Sequence, residues 1–151
     1  MSNVTDSYNA IVAKAESLFA GKTRLHNPYE LSDNPEIIMR DAWGLKVNTG
    51  ERVNIEFCNL SVSREYIFIL VRQFATVGNK ENAFDSVTVG LLEDQQTFLN
   101  NLWSQTELSI PDTIDEIQIT NIGGIDFMQA DQKKYLFTEI TFTITVSTAV
   151  I

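Results

Sequence analysis

The segment Glu139-Ile140-Thr141-Phe142-Thr143-Ile144-Thr145-Val146 (EITFTITV) alternates apolar and polar residues without a break. A period of two is typical of a β-strand with one buried face, and β-branched residues favour that conformation. We therefore predict a half-buried strand over Tyr135–Ser147. Because rows of threonine also line contacts between subunits, Thr141, Thr143 and Thr145 are candidate interface residues.

Three further strands are predicted on either side of this segment. Arg52–Cys58 alternates apolar and polar residues, and Glu65–Phe74 is apolar on both faces in its middle, as expected of a central strand. The short Asn59–Ser63 connection between them predicts an antiparallel hairpin. Ile114–Ile122 is the third strand, and Gly123-Gly124 after it indicates a bulge or turn.

Two amphipathic helices are predicted. Asp6–Ala20 has apolar residues at helical spacing, and Val87–Gln105 has two apolar ridges, before a break marked by Pro111. The ridges of the second helix consist of Leu91, Phe98 and Leu102, and of Leu92, Leu99 and Trp103. On this helix Glu93 and Asp94 are expected to face water. The polar segment Ala75–Asp85 before it is predicted to be a long exposed loop.

The predicted order is therefore helix, strand, strand, helix, strand, strand. This order favours a single α+β domain over residues 1–151, with an antiparallel sheet of about four strands and both helices packed on it. An extended arm over residues 22–50 lies within the domain. It contains the turn sequences Asn27-Pro28-Tyr29 and Asp33-Asn34-Pro35, but it is too apolar for a solvated linker and should pack on another surface.

Composition limits the possible functions. The net charge is −9, and the 11 Lys and Arg residues are spread along the chain, so specific nucleic-acid binding is not expected. Cys58 is the single cysteine, which excludes an internal disulfide and a multi-cysteine zinc site. The longest apolar run, Tyr66–Val71, is too short to cross a bilayer. With no signal peptide recognisable over Met1–Asp6, we expect a protein made in a cytoplasm.

No arrangement of residues points to catalysis. His26 is the single histidine, and no Gly-x-Ser-x-Gly motif accompanies it. Gly123-Gly124 lacks the Gly-Lys-Ser/Thr sequence of a phosphate-binding loop. Asp112, Asp115 and Glu116 crowd a predicted helix-to-strand connection, and we interpret them as solvated surface rather than as the paired carboxylates of a glycosidase. We expect no enzymatic activity, no cofactor and no metal.

The arm provides a family resemblance. Asn27-Pro28-Tyr29-Glu30-Leu31-Ser32-Asp33-Asn34, followed by Arg40-Asp41-Ala42-Trp43-Gly44-Leu45, resembles the tail terminator proteins of tailed bacteriophages, also called tail-completion or neck proteins. In that family an NPYxLxDN segment precedes a DxWG segment and the first strand. The resemblance extends loosely over the whole chain, and the order of elements is similar to the lambda-type terminator fold.

The resemblance implies a structural virion protein assembled in the host cytoplasm and located in the neck and tail. It implies a homo-oligomer, a hexameric ring that caps the tail tube and contacts the tube protein and the head-side connector. DNA would pass through the ring as cargo without specific binding, and neither a cofactor nor a membrane would be involved.

The resemblance also suggests candidate interface residues in the arm. They are Asn27, Pro28, Tyr29, Ile37, Ile38, Arg40 and Trp43. These residues either anchor on a neighbouring subunit or close the chain's own core. Asn79 and Lys80, in the predicted Ala75–Asp85 loop, are a second candidate contact with the tube or connector. Two alternatives stay open, namely another neck, connector or tail-tube protein, and a small α+β domain that binds a ligand between helix and sheet.

Overall fold

A computed structural model describes residues 3–25, 41–56, 59–74, 80–101, 114–130 and 133–149. These residues form two helices and six strands in the order α-β-β-β-α-β-β-β. The elements are α1 (Asn3–Leu18), β1 (Thr23–Leu25), β2 (Asp41–Glu56), β3 (Asn59–Phe74), α2 (Lys80–Asn101), β4 (Ile114–Ile122), β5 (Asp126–Ala130) and β6 (Lys133–Ala149).

The six strands form one mixed sheet in the order β1-β2-β3-β6-β4, with β5 also paired to β6. β1 is parallel to β2, and all other pairs are antiparallel. The predicted α+β class and two helices are confirmed. The prediction of an antiparallel sheet of about four strands is confirmed only in part: β2, β3, β4 and β6 pair antiparallel, but β1 and β5 are additional strands and β1 runs parallel.

The strands β2 and β3 are longer than their sequence patterns predicted. β2 begins at Asp41 and pairs with β3 from there, so residues 41–50 belong to the sheet rather than to an arm. Asn59–Ser63 is likewise paired strand, not a connection. β3 pairs with β6 over its whole length, from Asn59 opposite Ala149 to Phe74 opposite Lys134. This central pair fixes which residues share each face of the sheet.

The far edge of the sheet is formed by β4 and β5, which both pair with β6. β4 lies beside the second half of β6, and β5 lies beside its first half. The break between them falls at Gly123–Ile125, where the Gly123 amide donates to the Glu139 carbonyl at 2.8 Å. The predicted bulge or turn at Gly123-Gly124 is confirmed, but β5 was not predicted.

Both helices lie where the apolar periodicity placed them, with shifted ends. α1 begins three residues before the predicted Asp6 and ends at Leu18. α2 begins at Lys80, so the predicted loop over Ala75–Asp85 is wrong for its second half, and residues 75–79 and 102–105 lie outside the described part of the chain. Lys80–Asp85 contains Lys, Glu and Ala, which have good helix propensity, so the helix extends through it. No described helix is long and apolar enough to span a membrane.

The main core lies between the helices and one face of the sheet. α1 contributes Ile11 and Ala15, and α2 contributes Leu91 and Phe98, all of them at most 1% exposed. The Phe98 ring stacks on Phe68 of β3 with centroids 3.8 Å apart. Side chains therefore fill the space between α2 and the centre of the sheet.

Trp43 belongs to this core. It is 1% exposed and stacks on Phe68 with centroids 5.8 Å apart, while the guanidinium of Arg24 lies 5.5 Å from its ring centroid. Of the two roles left open for Trp43, the structure supports closure of the chain's own core. Its side chain is buried within its own chain, so the prediction that Trp43 anchors on a neighbouring subunit is wrong.

A second, smaller apolar cluster lies on the opposite face of the sheet. Its buried members are Leu25, Ala42, Ile69, Val71 and Tyr135. They alternate along the strands with residues of the main core, so the middle of β3 is apolar on both faces, as its sequence predicted.

Candidate assembly surfaces

A partly buried ion-pair cluster joins α2 to the sheet. The Arg72 guanidinium of β3 donates to both carboxylate oxygens of Asp94 at 3.0 and 3.2 Å, and the Lys22 ammonium lies 3.1 Å from the same carboxylate. Asp41 is 4.0 Å from Arg72. The expectation that Asp94 faces water is wrong: the residue is 9% exposed because two cations distant in sequence converge on it, whereas Glu93 is exposed as predicted.

The electrostatics of this cluster favour the charged guanidinium. Burial, the largest effect, lowers the pKa of Arg72, but the hydrogen bonds and charge of Asp94, with the charges of Asp41 and Glu93, together raise it above its usual value. Gly90 lies directly over this group, because a Cβ added there would meet Arg72 Nη1 at 2.6 Å. The cluster is therefore a structural clamp, and a side chain at position 90 could be accommodated only if the guanidinium moved.

A shallow depression lies beside the clamp. It has a volume of about 470 Å³ and is lined by Arg72, Asp85, Ser86, Val89, Gly90 and Glu93. Its one cation, Arg72, is already engaged by Asp94. Within the described residues, no group of three or more His, Cys, Asp or Glu side chains is placed to hold a metal ion.

A second polar network fixes the break between β4 and β5. The Gln95 side-chain amide of α2 donates to the Gly123 carbonyl at 3.2 Å and to Thr138 Oγ1 at 2.6 Å. The Thr138 hydroxyl donates in turn to the Gly123 carbonyl at 3.1 Å. Gln95 and Thr138 are 8% and 1% exposed, so these bonds form away from water, where they are strongest. They hold α2 directly over the break.

Exposed apolar side chains lie on α2 and on the strands β4 and β5. Five large apolar side chains of the described residues are at least a third exposed: Val89, Leu92, Ile119, Ile122 and Phe127. The first two lie on α2, and the other three lie on β4 and β5. The sequence did not predict these exposed residues, because Leu92 belongs to an apolar ridge of the predicted helix and yet is 49% exposed.

A polar face lies on the side of the sheet opposite the helices. Thr141, Thr143 and Thr145 are half-buried there, alternating with the core residues of β6. Thr143 is paired with Glu65 of β3 and Gln118 of β4, and the Thr145 hydroxyl is 2.8 Å from that of Ser63. We call the three threonines, with Ser63, Glu65 and Gln118, the polar face.

The structure brings only some of the predicted interface residues together. The three threonines share one face of one strand, as the alternation predicted. Lys80 is the first residue of α2 rather than part of a loop. The other predicted residues, with His26 and Cys58, lie outside the described part of the chain: Asn27, Pro28, Tyr29, Ile37, Ile38, Arg40 and Asn79.

Comparisons of the sequence with family models and with curated proteins do not identify a role for these surfaces. No family model matches the sequence, and no curated protein is significantly similar to it.

Proposed function

We propose that the protein is a structural virion protein of a tailed bacteriophage. In this proposal it is a ring-forming tail terminator, a hexamer that caps the tail tube and joins the tail to the head-side connector. The sequence resemblance in the arm motivates the proposal. The structural observation that carries it is the polar face, which leaves a hydroxyl-rich surface on the side of the sheet away from both helices.

The polar face has the chemistry of a surface past which DNA slides. Tight binding to phosphates requires several clustered cations that release counterions. The strand rows that contain Thr141, Thr143 and Thr145 include two acids, Glu65 and Glu116, and two bases, Lys46 and Arg52. Two isolated bases balanced by two acids are not the cluster of cations that retains a DNA backbone. In the proposed ring this face lines the passage.

Electron microscopy tests the proposal most directly. The purified protein would be imaged alone and after mixing with tail tubes of the same phage. Caps confined to one end of each tube, or six-fold rings, support a terminator. Stacks that lengthen the tube would identify a tube subunit, and a protein that never contacts tubes would reject the proposal.

Charge substitutions on the polar face test its role within the particle. The triple variant Thr141→Lys, Thr143→Lys and Thr145→Lys should still cap tubes, but it should slow DNA release from assembled particles because lysines would retain the phosphates. Lysines at exposed Gln96 and Asn100 of α2 provide the control, since that helix lies on the other side of the sheet. Equal DNA release from both variants and the wild type would show that the polar face does not line the passage.

A further inference from the structure

The second apolar cluster is buried although no described helix covers it. All of its members, buried and partly buried, belong to strands. Both described helices pack on the opposite face of the sheet, where the main core lies. Yet Ala42, Ile69 and Val71 are at most 1% exposed. Because side chains on an uncovered sheet face stay in contact with water, other residues of this chain must cover the cluster.

The same face of the sheet is more open further along β3. Ser63 and Glu65 are half-buried, whereas Ile69 and Val71 are buried. All four residues share one face, because successive residues of a strand alternate between its two faces. The cover therefore lies over the end of the sheet where β2 begins and β3 ends, and it stops before the polar face.

The candidates for this cover are the two long segments outside the described residues, 26–40 and 102–113. Residues 102–113 join the end of α2, on the helix side, to Ile114, which is opposite Val146. Along β6, Val146 is about 30 Å from Phe137 of the cluster at the usual rise of a strand. Residues 102–113 therefore lead away from the cluster.

Residues 26–40 instead begin and end at the cluster. They follow Leu25 and precede Asp41, and both Leu25 and Ala42 are buried members of the cluster. Because β1 and β2 are parallel, the chain has to cross back between them, which takes about a dozen residues or more. The segment is long enough for this crossover, and it contains five large apolar residues: Tyr29, Leu31, Ile37, Ile38 and Met39.

The hand of chain crossovers indicates the side of the sheet on which this connection lies. β3 and β4 are both antiparallel to β6 and so parallel to each other, and α2 connects them on the helix side. The step from β1 to β2 crosses the sheet in the same direction, but these strands run opposite to β3. Crossovers between parallel strands are right-handed in almost all proteins. Two connections of the same hand then lie on opposite sides, which puts residues 26–40 on the side of the second apolar cluster.

We propose that residues 26–40 pack on the second apolar cluster of their own chain and close a second core there. The burial of the cluster, the ends of the segment and the hand of the crossover support this proposal independently. The apolar side chains of the segment then stabilise the fold of one subunit rather than anchor on a neighbouring subunit. On this side of the sheet, the polar face is the surface left for other molecules. The inference goes beyond the proposed function and does not rest on it.

Photo-cross-linking tests the contact. A diazirine analogue of leucine is placed at Ile69 by stop-codon suppression, and the irradiated protein is digested with trypsin. Arg24 and Arg40 have no Lys or Arg between them, so the segment is recovered in one peptide, residues 25–40. Fragment sequencing separates attachment to residues 26–40 from attachment to Leu25. The same analogue at Ile119, which is opposite Phe142 of the main core, is the control on the helix side.

Isotope labelling identifies the chain that supplies the segment. The photoreactive protein is unlabelled and is mixed with an excess of ¹⁵N-labelled wild type. The expected result is a cross-link from position 69 to an unlabelled segment 26–40, and none from position 119. A cross-link to a labelled segment would overturn packing within one chain, and a cross-link to residues 102–113 alone, or none at all, would overturn the proposal. Tube capping is not part of this measurement, so either result leaves the test of the proposed function unchanged.

A pair of double variants measures the contribution of the segment to stability. Ile37→Ser with Ile38→Ser should lower the melting temperature of the dilute protein by at least about 5 °C, because apolar side chains are lost from a core. Glu30→Ser with Glu36→Ser, in the same segment, is the control and should lower it by less than about 2 °C. Equal melting temperatures of the isoleucine variant and the wild type would show that the segment does not pack on the sheet.

Discussion

Gly90→Ala should destabilise the protein even though it replaces glycine in the interior of a helix. Alanine is favoured over glycine there by about 1 kcal/mol. However, the added methyl group would lie 2.6 Å from Arg72 Nη1 and 2.7 Å from its Cζ, which is closer than carbon atoms approach. The guanidinium has to move, and its two hydrogen bonds to Asp94 are then lost or lengthened.

The magnitude follows from these opposed effects. A hydrogen bond to a charged group contributes about 1.5–3 kcal/mol, and the Arg72 side chain is 26% exposed, so water replaces part of the loss. Asp94 also keeps Lys22 as a partner. We expect a loss of about 2–4 kcal/mol from the clamp, offset by about 1 kcal/mol of helix propensity. The free energy of unfolding should therefore fall by about 1–3 kcal/mol, measured by urea denaturation.

The same substitution should change sign when the clamp is absent. Arg72→Met provides a suitable background, because it removes the guanidinium while Asp94 keeps Lys22 as its partner. In that background Gly90→Ala meets no guanidinium and should stabilise by up to about 1 kcal/mol. An equal loss of stability in both backgrounds would refute the reasoning, because it would mean that the methyl group clashes with something other than Arg72.

Three further predictions concern the edge break, an alkaline transition and the core. Gly123→Ala should lower the free energy of unfolding by about 1–3 kcal/mol in urea titrations, because the added Cβ would lie 2.8 Å from a carbonyl oxygen of β6. Gly124→Ala is the control: its Cβ would have no atom within 4 Å, so the change should be less than about 0.5 kcal/mol, and equal effects would contradict the close approach. Burial raises the pKa of Tyr66 above 10.0, and this effect is opposed by Arg64 and reinforced by Tyr8. The folded state therefore holds the phenolic proton more tightly than the unfolded state, and the free energy of unfolding should fall as the pH rises past about 10. Tyr66→Phe should reduce this pH dependence in urea titrations at successive pH values, and an unchanged dependence would count against the burial argument. Phe98→Ala should cost about 3–5 kcal/mol, since the ring is 1% exposed and stacked on β3, and a loss below about 1 kcal/mol would show that the core refills the space.

The sequence predicted the elements whose patterns are local. The apolar stripe of α1 and the alternation of β6 required only their own residues, and both were correct. The start of β2 was also present as alternation in Trp43, Leu45 and Val47, but the turn sequences before it favoured an arm. A short alternation of apolar and polar residues can therefore be missed as a strand when the adjacent sequence indicates turns.

The remaining features depend on residues distant in sequence. β1 has three residues, and its parallel pairing with β2 exists only in the folded sheet. From the sequence of α2 alone, Asp94 resembles a solvent-exposed residue. Its burial depends on Arg72 and Lys22, which contact its carboxylate only in the folded protein. The exposed apolar residues could not be recognised because exposure of Leu92 and Ile122 depends on where the sheet ends. Candidate sites of this kind can be recognised only after the sheet topology is known.

The pairing of β3 with β6 has a consequence during protein synthesis. β6 follows every other described strand in the sequence, yet it supplies one whole side of β3. While the ribosome is still translating that segment, β3 has β2 as its neighbour and presents Phe68, Ile69, Leu70 and Val71 on an open edge. Contacts this distant in sequence form slowly, and an exposed apolar strand is prone to intermolecular aggregation. A high yield of native protein in the cell should therefore depend on chaperones, and slower translation of residues 75–132 should lower it.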